Sequence, residues 1–162
     1  MRNPVAQSRG RHHWRSIVFK HILIPTDGSE LATLAVDKGM ALAASIGAAV
    51  TVVTVTEPFH VFSPASAQVE SSRASYEGDA RAYAEKVLAT ARDKAAAAGV
   101  SVETHHKWHD SPYQAIIETA VDKGCDLIAM ASHGRRGMAA VVMGSQATKL
   151  LTHSKIPVLV YR

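Results

Sequence analysis

Gly39-Met40-Ala41-Leu42-Ala43-Ala44-Ser45-Ile46-Gly47-Ala48-Ala49-Val50-Thr51-Val52-Val53-Thr54-Val55-Thr56 is the stretch that decides the fold class. Its 18 residues carry no charge, close to the ~20 apolar residues of a transmembrane helix. The pattern changes halfway, however. As far as Ile46 it is Ala-rich and helical, Gly47 breaks it, and Val50 to Val55 is β-branched, as strands prefer. A helix that ends and a strand that begins account for it, and a membrane span is rejected. The N-terminal residues lack an apolar core and do not read as a secretory signal.

Working outward, Phe19-Lys20-His21-Ile22-Leu23-Ile24-Pro25 reads as the first strand. Thr26-Asp27-Gly28 turns the chain, and Ser29 is a good N-cap for a helix with Leu31, Leu34/Ala35, Leu42 and Ile46 at helical spacing. Residues 57–73, with Pro58, Pro64 and four serines, read as a long loop whose main apolar residues are Phe59, Val61 and Phe62. Residues 74–98 read as a helix, with Tyr76, Tyr83, Val87 and Ala91 on one stripe and Gly99 as its stop. A strand over 101–108 precedes a helix opened by Ser111-Pro112, with Ala115, Ile116, Thr119 and Ala120 inward. A strand over 126–130, a glycine-bearing loop, a helix over 144–153 and a strand over 156–161 complete the chain.

The order is strictly alternating, β-α-β-α-β-α-β-α-β, and the strands are near-continuous apolar runs. That is the pattern of a parallel sheet covered by helices on both faces. Such α/β sheets bind ligands beyond the carboxyl ends of their strands, where strand order reverses. Thr26-Asp27-Gly28, Thr56-Glu57, His109-Asp110 and Ser132-His133-Gly134 are therefore the residues to question.

Charge and composition narrow the function classes. Of 162 residues, 18 are Lys or Arg and 14 are Asp or Glu, a formal net charge of +4. Arg2, Arg9, Arg11 and Arg15 stand in the first 16 residues with no acid, so the rest of the chain is balanced. A nucleic-acid binder shows a basic face on its folded body, and this body is neutral on average. The single cysteine, Cys125, excludes a disulfide framework, a CxxC redox pair and a Cys-rich zinc site, and fits a reducing cytoplasm.

The richest segment is Ala131-Ser132-His133-Gly134-Arg135-Arg136-Gly137, followed by six residues and then Gly144-Ser145. Glycines let backbone N–H groups approach an anion, and a helix that opens at Gly144-Ser145 offers free N–H groups and a positive dipole end. An ordinary flexible loop with a serine cap is the other reading of the same residues. Neither a Walker A pattern nor GxGxxG occurs.

Three pieces together resemble the universal stress protein (UspA-like) family: Ile22-Leu23-Ile24-Pro25-Thr26-Asp27-Gly28-Ser29, the glycine loop, and Ser154-Lys155-Ile156-Pro157-Val158-Leu159-Val160. The family's loop, G-2x-G-9x-G-S/T, runs here as Ala131, two residues, Gly134, nine residues, Gly144-Ser145. The resemblance implies a five-stranded parallel sheet of order 3-2-1-4-5, Rossmann-like and adenine nucleotide alpha-hydrolase-like, over residues 18–162. Residues 1–17 then form a basic, disordered extension. It also implies a homodimer joined through the last strand, while the single cysteine and the balanced charge lead us to expect a cytoplasmic protein with no specific nucleic-acid partner.

In the family's ATP-binding branch, Asp27 would contact the adenine–ribose end, with Pro25 and Thr26 shaping the pocket. Val55 would lie against the adenine, and Met130 and Ala131 would line the base and ribose side. Gly134, Gly144, Ser145 and Gln146 would present N–H groups or a hydroxyl to the phosphates. Mg²⁺, or Mn²⁺, would ride on those phosphates rather than on protein ligands. Ala131 departs from the motif glycine: at φ > 0 its methyl would cost roughly 1–2 kcal/mol, in the β region almost nothing. ADP, AMP and cyclic AMP share the recognised adenosine.

Other constellations are weaker. His105 and His109 share a strand face but lie about 13 Å apart at ~3.3 Å per residue, too far to chelate one ion. Ser132-His133 with Asp27 could be drawn as a triad, but no G-x-S-x-G elbow supports it, and His133 is expected to fix the loop. Asp27 is expected to be the pocket's only carboxylate. The expectation is a stress-response regulator that binds ATP with little or no catalysis; the alternatives are a non-nucleotide dimer that works by protein–protein interaction, and a slow ATPase.

Overall fold

The computed structural model describes residues 19–60, 67–134 and 143–162. Among the described residues nine elements alternate: β1 (His21–Pro25), α1 (Glu30–Ile46), β2 (Ala49–Thr56), α2 (Ala67–Ala98), β3 (Val102–Trp108), α3 (Pro112–Asp122), β4 (Leu127–Ala131), α4 (Ser145–His153) and β5 (Val158–Tyr161). The strands form one parallel sheet of order β3-β2-β1-β4-β5, as the resemblance implied. The uncharged stretch that opened the sequence reading is the last part of α1, a left-handed Gly47 (φ 73°) and β2. Among the described residues no helix is long and apolar enough to cross a membrane.

Side chains of the central strands alternate between two apolar layers. Ile22 and Ile24 point with Val50 and Val52 toward Val36, Met40 and Leu88 of α1 and α2. Leu23, Val53 and Ile128 point the other way, toward Ile116 of α3 and Leu150 of α4. Every residue of β4 is buried, which explains why it has no polar alternation.

Ser29 caps α1 as expected, its hydroxyl accepting from Ala32 N at 3.2 Å. Of the stripe read from sequence, Ala35 is buried and Leu31, Leu42 and Ile46 pack partly buried against the core, but the centre of the buried face is made by smaller residues. Ala32, Ala35, Val36, Gly39, Met40 and Ala43 pack inward, whereas Leu34 is exposed. Small residues let this helix lie close to β1, so the larger side chains stand at its flanks.

A second correction concerns α2. It begins at Ala67, inside the segment expected to be loop until residue 73. The serines at 71, 72 and 75 occupy exposed helix positions, and Arg73 pairs with Glu77 one turn on. Serine is a poor but tolerated helix residue, and nothing after Pro64 forbids the helix. The inward stripe is Ala84, Leu88, Ala91 and Ala95; Tyr76 and Tyr83, read as part of the stripe, are exposed at the edge of this face. The four inward residues expected for α3 are all buried. The proposed extension 1–17, residues Val61, Phe62 and Pro64, and Arg135, Arg136 and Gly137 lie outside the described residues.

Candidate functional site

In the order β3-β2-β1-β4-β5 the chain departs from β1 in one direction and returns at β4 in the other, so these neighbours form the topological switch point. A cleft of about 630 Å³ opens there, beyond the carboxyl ends of β1, β2 and β4. Its size is that of a small-molecule site.

The β1 side is built by a tight turn. Thr26 N donates to Val53 O at 2.9 Å and the buried Thr54 hydroxyl donates to Thr26 O at 2.9 Å, so the chain stays pinned to β2 past its last strand residue. Gly28 then takes φ 75°, a conformation that glycine adopts without strain. Asp27 Oδ1 accepts from Ser29 N at 3.0 Å, while the Tyr83 hydroxyl, from α2, donates to Asp27 O at 2.9 Å. The turn is held from both sides.

The β4 side holds the glycine loop. Gly134 sits against Asp27: a β-carbon there would collide with Oδ2 and lie 3.3 Å from Cγ. At Gly144 a β-carbon would stand 3.0 Å from the Ser132 carbonyl oxygen and 3.4 Å from His133 Cα. Gly144 N itself donates to that Ser132 oxygen at 2.9 Å, so the two ends of the loop are tied. The first backbone bond of α4 runs from Thr148 N to Gly144 O, which leaves the amides of Ser145, Gln146 and Ala147 without partners inside the helix. All three residues line the cleft.

Ala131 stands in β4, paired in parallel register with Tyr161, and the next amide, Ser132 N, continues that ladder to Tyr161 O at 2.8 Å. A residue in such a ladder has β-region dihedrals, so its methyl brings no backbone strain. The side chain packs with Ala32 and Ala35 of α1. The open question about this position is answered in favour of the harmless case.

All ten residues singled out from sequence line this one cleft: Pro25 at the end of β1 with Thr26 and Asp27 just after it, Val55 from β2, Met130 and Ala131 from β4 with Gly134 beyond it, and Gly144, Ser145 and Gln146 around the start of α4. One has a further task. Gln146 Oε1 accepts from Tyr113 N at 3.0 Å and thereby caps α3, where Ser111 makes no side-chain cap. Ser132 and His133 also line the cleft and bond each other, Oγ to Nδ1 at 3.0 Å, and His133 Nε2 is buried without a partner among the described residues.

The cleft holds a second carboxylate, against expectation: Glu57, the first residue beyond β2, lines it together with Tyr76 from α2. The signal for Glu57 was its place at a strand's carboxyl end. Tyr76 was concealed by its helical spacing, which read as core. The histidines of β3, and His109 just beyond it, serve local contacts. His106 Nε2 meets the Thr56 hydroxyl at 2.9 Å, and burial, aided by the Arg81 charge, pushes the pKa of His106 down. His105 Nε2 lies 2.9 Å from Glu103 Oε1, and His109 Nδ1 accepts from Ser111 N at 2.8 Å.

A parallel five-stranded sheet of this order, with a glycine-bordered cleft at its switch point, defines an adenine nucleotide alpha-hydrolase-like fold. The chain belongs to the universal stress protein family, whose model matches residues 19–162. It is 32% identical over 145 residues to a universal stress protein of Thermus aquaticus, covering 90% of this chain and all of that one. Universal stress protein YxiE of Bacillus subtilis is 28% identical over 149 residues, with 90% of this chain and all of that one covered. Among solved structures, hypothetical protein MJ0577 superposes with a TM-score of 0.75 at 25% identity, covering 89% of this chain and 96% of that one. A universal stress protein crystallised in complex with cAMP superposes at 0.64 with 26% identity, over 89% and 97% of the two chains.

Proposed function

We propose that this chain is an ATP-binding universal stress protein, a nucleotide-responsive regulator in the cytoplasm with little or no catalysis. The observation that carries the reading is the pair Gly134 and Gly144. A β-carbon at 134 would collide with Asp27 Oδ2 and one at 144 would crowd the Ser132 carbonyl at 3.0 Å, and the two glycines border a cleft lined by the first residues of α4. Backbone donors so arranged suit phosphate oxygens. The Ser145 hydroxyl and the amides of residues 145–147 would take the phosphates, with Mg²⁺ or Mn²⁺ bound on the phosphates. Asp27, Val55 and Met130 would take ribose and base.

Asp27 favours binding over hydrolysis, because Oδ1 already accepts from Ser29 N and Oδ2 lies against Gly134. The alternative of a dimer that ignores nucleotides drew its weight from Ala131, whose strand geometry now gives no reason to refuse one. A homodimer through β5 belongs to the same proposal: β5 is an edge strand and its Leu159 is exposed. The related structure with cAMP makes cyclic AMP the competing adenine ligand. Mass spectrometry of the small molecule released from the purified, denatured protein tests the reading. ATP is expected; cyclic AMP alone would replace the ligand, and a chain that retains no nucleotide even after incubation with millimolar Mg-ATP would contradict it.

A further inference from the structure

The wall of the cleft on the β2 side is made by Thr56, Glu57 and Tyr76. Tyr76 comes from α2 and is held in three ways. Its hydroxyl donates to Glu57 O at 2.8 Å, and its ring lies 5.4 Å from Phe59 and 6.3 Å, edge-on, from Trp108. Trp108 in turn packs at 5.1 Å on His106, whose Nε2 meets the Thr56 hydroxyl. The ring is thus fixed at the cleft by a closed set of contacts, although 36% of the residue's surface remains exposed.

Its position gives the arrangement meaning. β2 and β4 flank β1 on opposite sides, so the Tyr76 wall and the glycine loop after β4 are two strand spacings apart, roughly 10 Å. One end of the cleft offers amides and glycines, the other the aromatic ring of Tyr76, and Val53, Val55 and Ile116 add apolar side chains to the cleft lining. A phosphate chain fits the first end. A flat, apolar, π-bearing group fits the second, and aromatic side chains stack on nucleobases of any sequence.

We propose that Tyr76 is a base-stacking residue of this cleft, so that the base and not only the phosphates supplies affinity. This rests on the nucleotide reading above and adds a residue to it. Trp108, Phe59 and the Glu57 carbonyl are positioning partners that hold the ring.

Calorimetric titration of the full chain with Mg-ATP and, separately, with inorganic tripolyphosphate tests the proposal in the wild type, Tyr76→Ala and Tyr76→Phe. Tyr76→Ala is expected to weaken ATP by about tenfold and to leave tripolyphosphate within about twofold, with Tyr76→Phe, which keeps the ring, closer to wild type. Unchanged ATP affinity in Tyr76→Ala would overturn the proposal, as would equal losses for both ligands. A wild type that takes up neither ligand would overturn the nucleotide reading and this proposal together. A wild type that binds both equally would overturn this proposal alone.

Discussion

Gly134 and Asp27 interlock: the carboxylate of Asp27 occupies the space that a side chain at position 134 would need. One residue ends the β1 turn and the other opens the loop after β4, so this contact closes the switch point of the sheet. Glycine at 134 is therefore explained by close approach and not by backbone twist; among the described glycines, Gly28, Gly47, Gly99 and Gly124 are the ones with positive φ.

Gly134→Ala is expected to push the Asp27 carboxylate out of place. Calorimetry should show nucleotide affinity weakened by about tenfold, equivalent to roughly 1.4 kcal/mol, while circular dichroism stays that of the wild type. An alanine variant that binds as tightly as wild type would show that the Asp27 carboxylate is not a ligand contact.

Tyr83→Phe removes the hydroxyl that holds Asp27 O. Gly28 cannot take its place in steadying the turn, since it packs directly under the tyrosine, where a β-carbon would lie 2.5 Å from the hydroxyl oxygen. The loss of one such bond costs about 1 kcal/mol, read as a fall in Tm of about 2–4 °C, and nucleotide binding should weaken several-fold with it. A variant with an unchanged melting curve and unchanged affinity would mean that the turn holds itself.

Ala131→Gly restores the family's motif and is nevertheless expected to bring no gain in affinity. Glycine in a strand interior costs roughly 0.5–1 kcal/mol, and the packing on Ala32 and Ala35 is lost as well, so the variant should melt lower. Tighter ATP binding by the glycine variant would show that the methyl obstructs the cleft after all.

Cys125 is buried, and burial pushes its thiol up from the usual 9.0 to about 11. The folded pKa lies above the unfolded one, so this group's contribution to stability is complete below pH 9 and is lost as pH rises toward 11. A thiol-specific reagent at pH 8 should therefore modify the native protein far more slowly than the urea-unfolded chain. Equal rates would show that the thiol is accessible and ionised in the fold.

The element order and the location of the cleft were legible because they depend on period and punctuation. Gly47 divides α1 from β2, Ser29 caps, Pro112 opens, and the strands are continuous apolar runs. What escaped depended on distance in the chain. Leu34 looks inward by hydropathy, yet the close approach of α1 to β1 selects Ala32, Ala35 and Gly39 for the interface. Tyr76 and Tyr83 have the spacing of a core stripe, but their hydroxyls reach the carbonyls of Glu57 and Asp27, 19 and 56 residues away. Gln146 could not be recognised as the cap of α3 from 33 residues off, and the serines before Tyr76 hid the first turns of α2.

The central claim is that the cleft between β1 and β4 binds ATP through the glycine loop, and calorimetric titration of the wild type and Gly144→Val with Mg-ATP tests it most directly. A valine side chain at 144 begins 3.0 Å from the Ser132 carbonyl and must displace the loop. The account predicts saturable one-site binding by the wild type and its loss in a folded Gly144→Val. No heat of binding from the wild type at millimolar ATP, or equal affinity in both proteins, would contradict it.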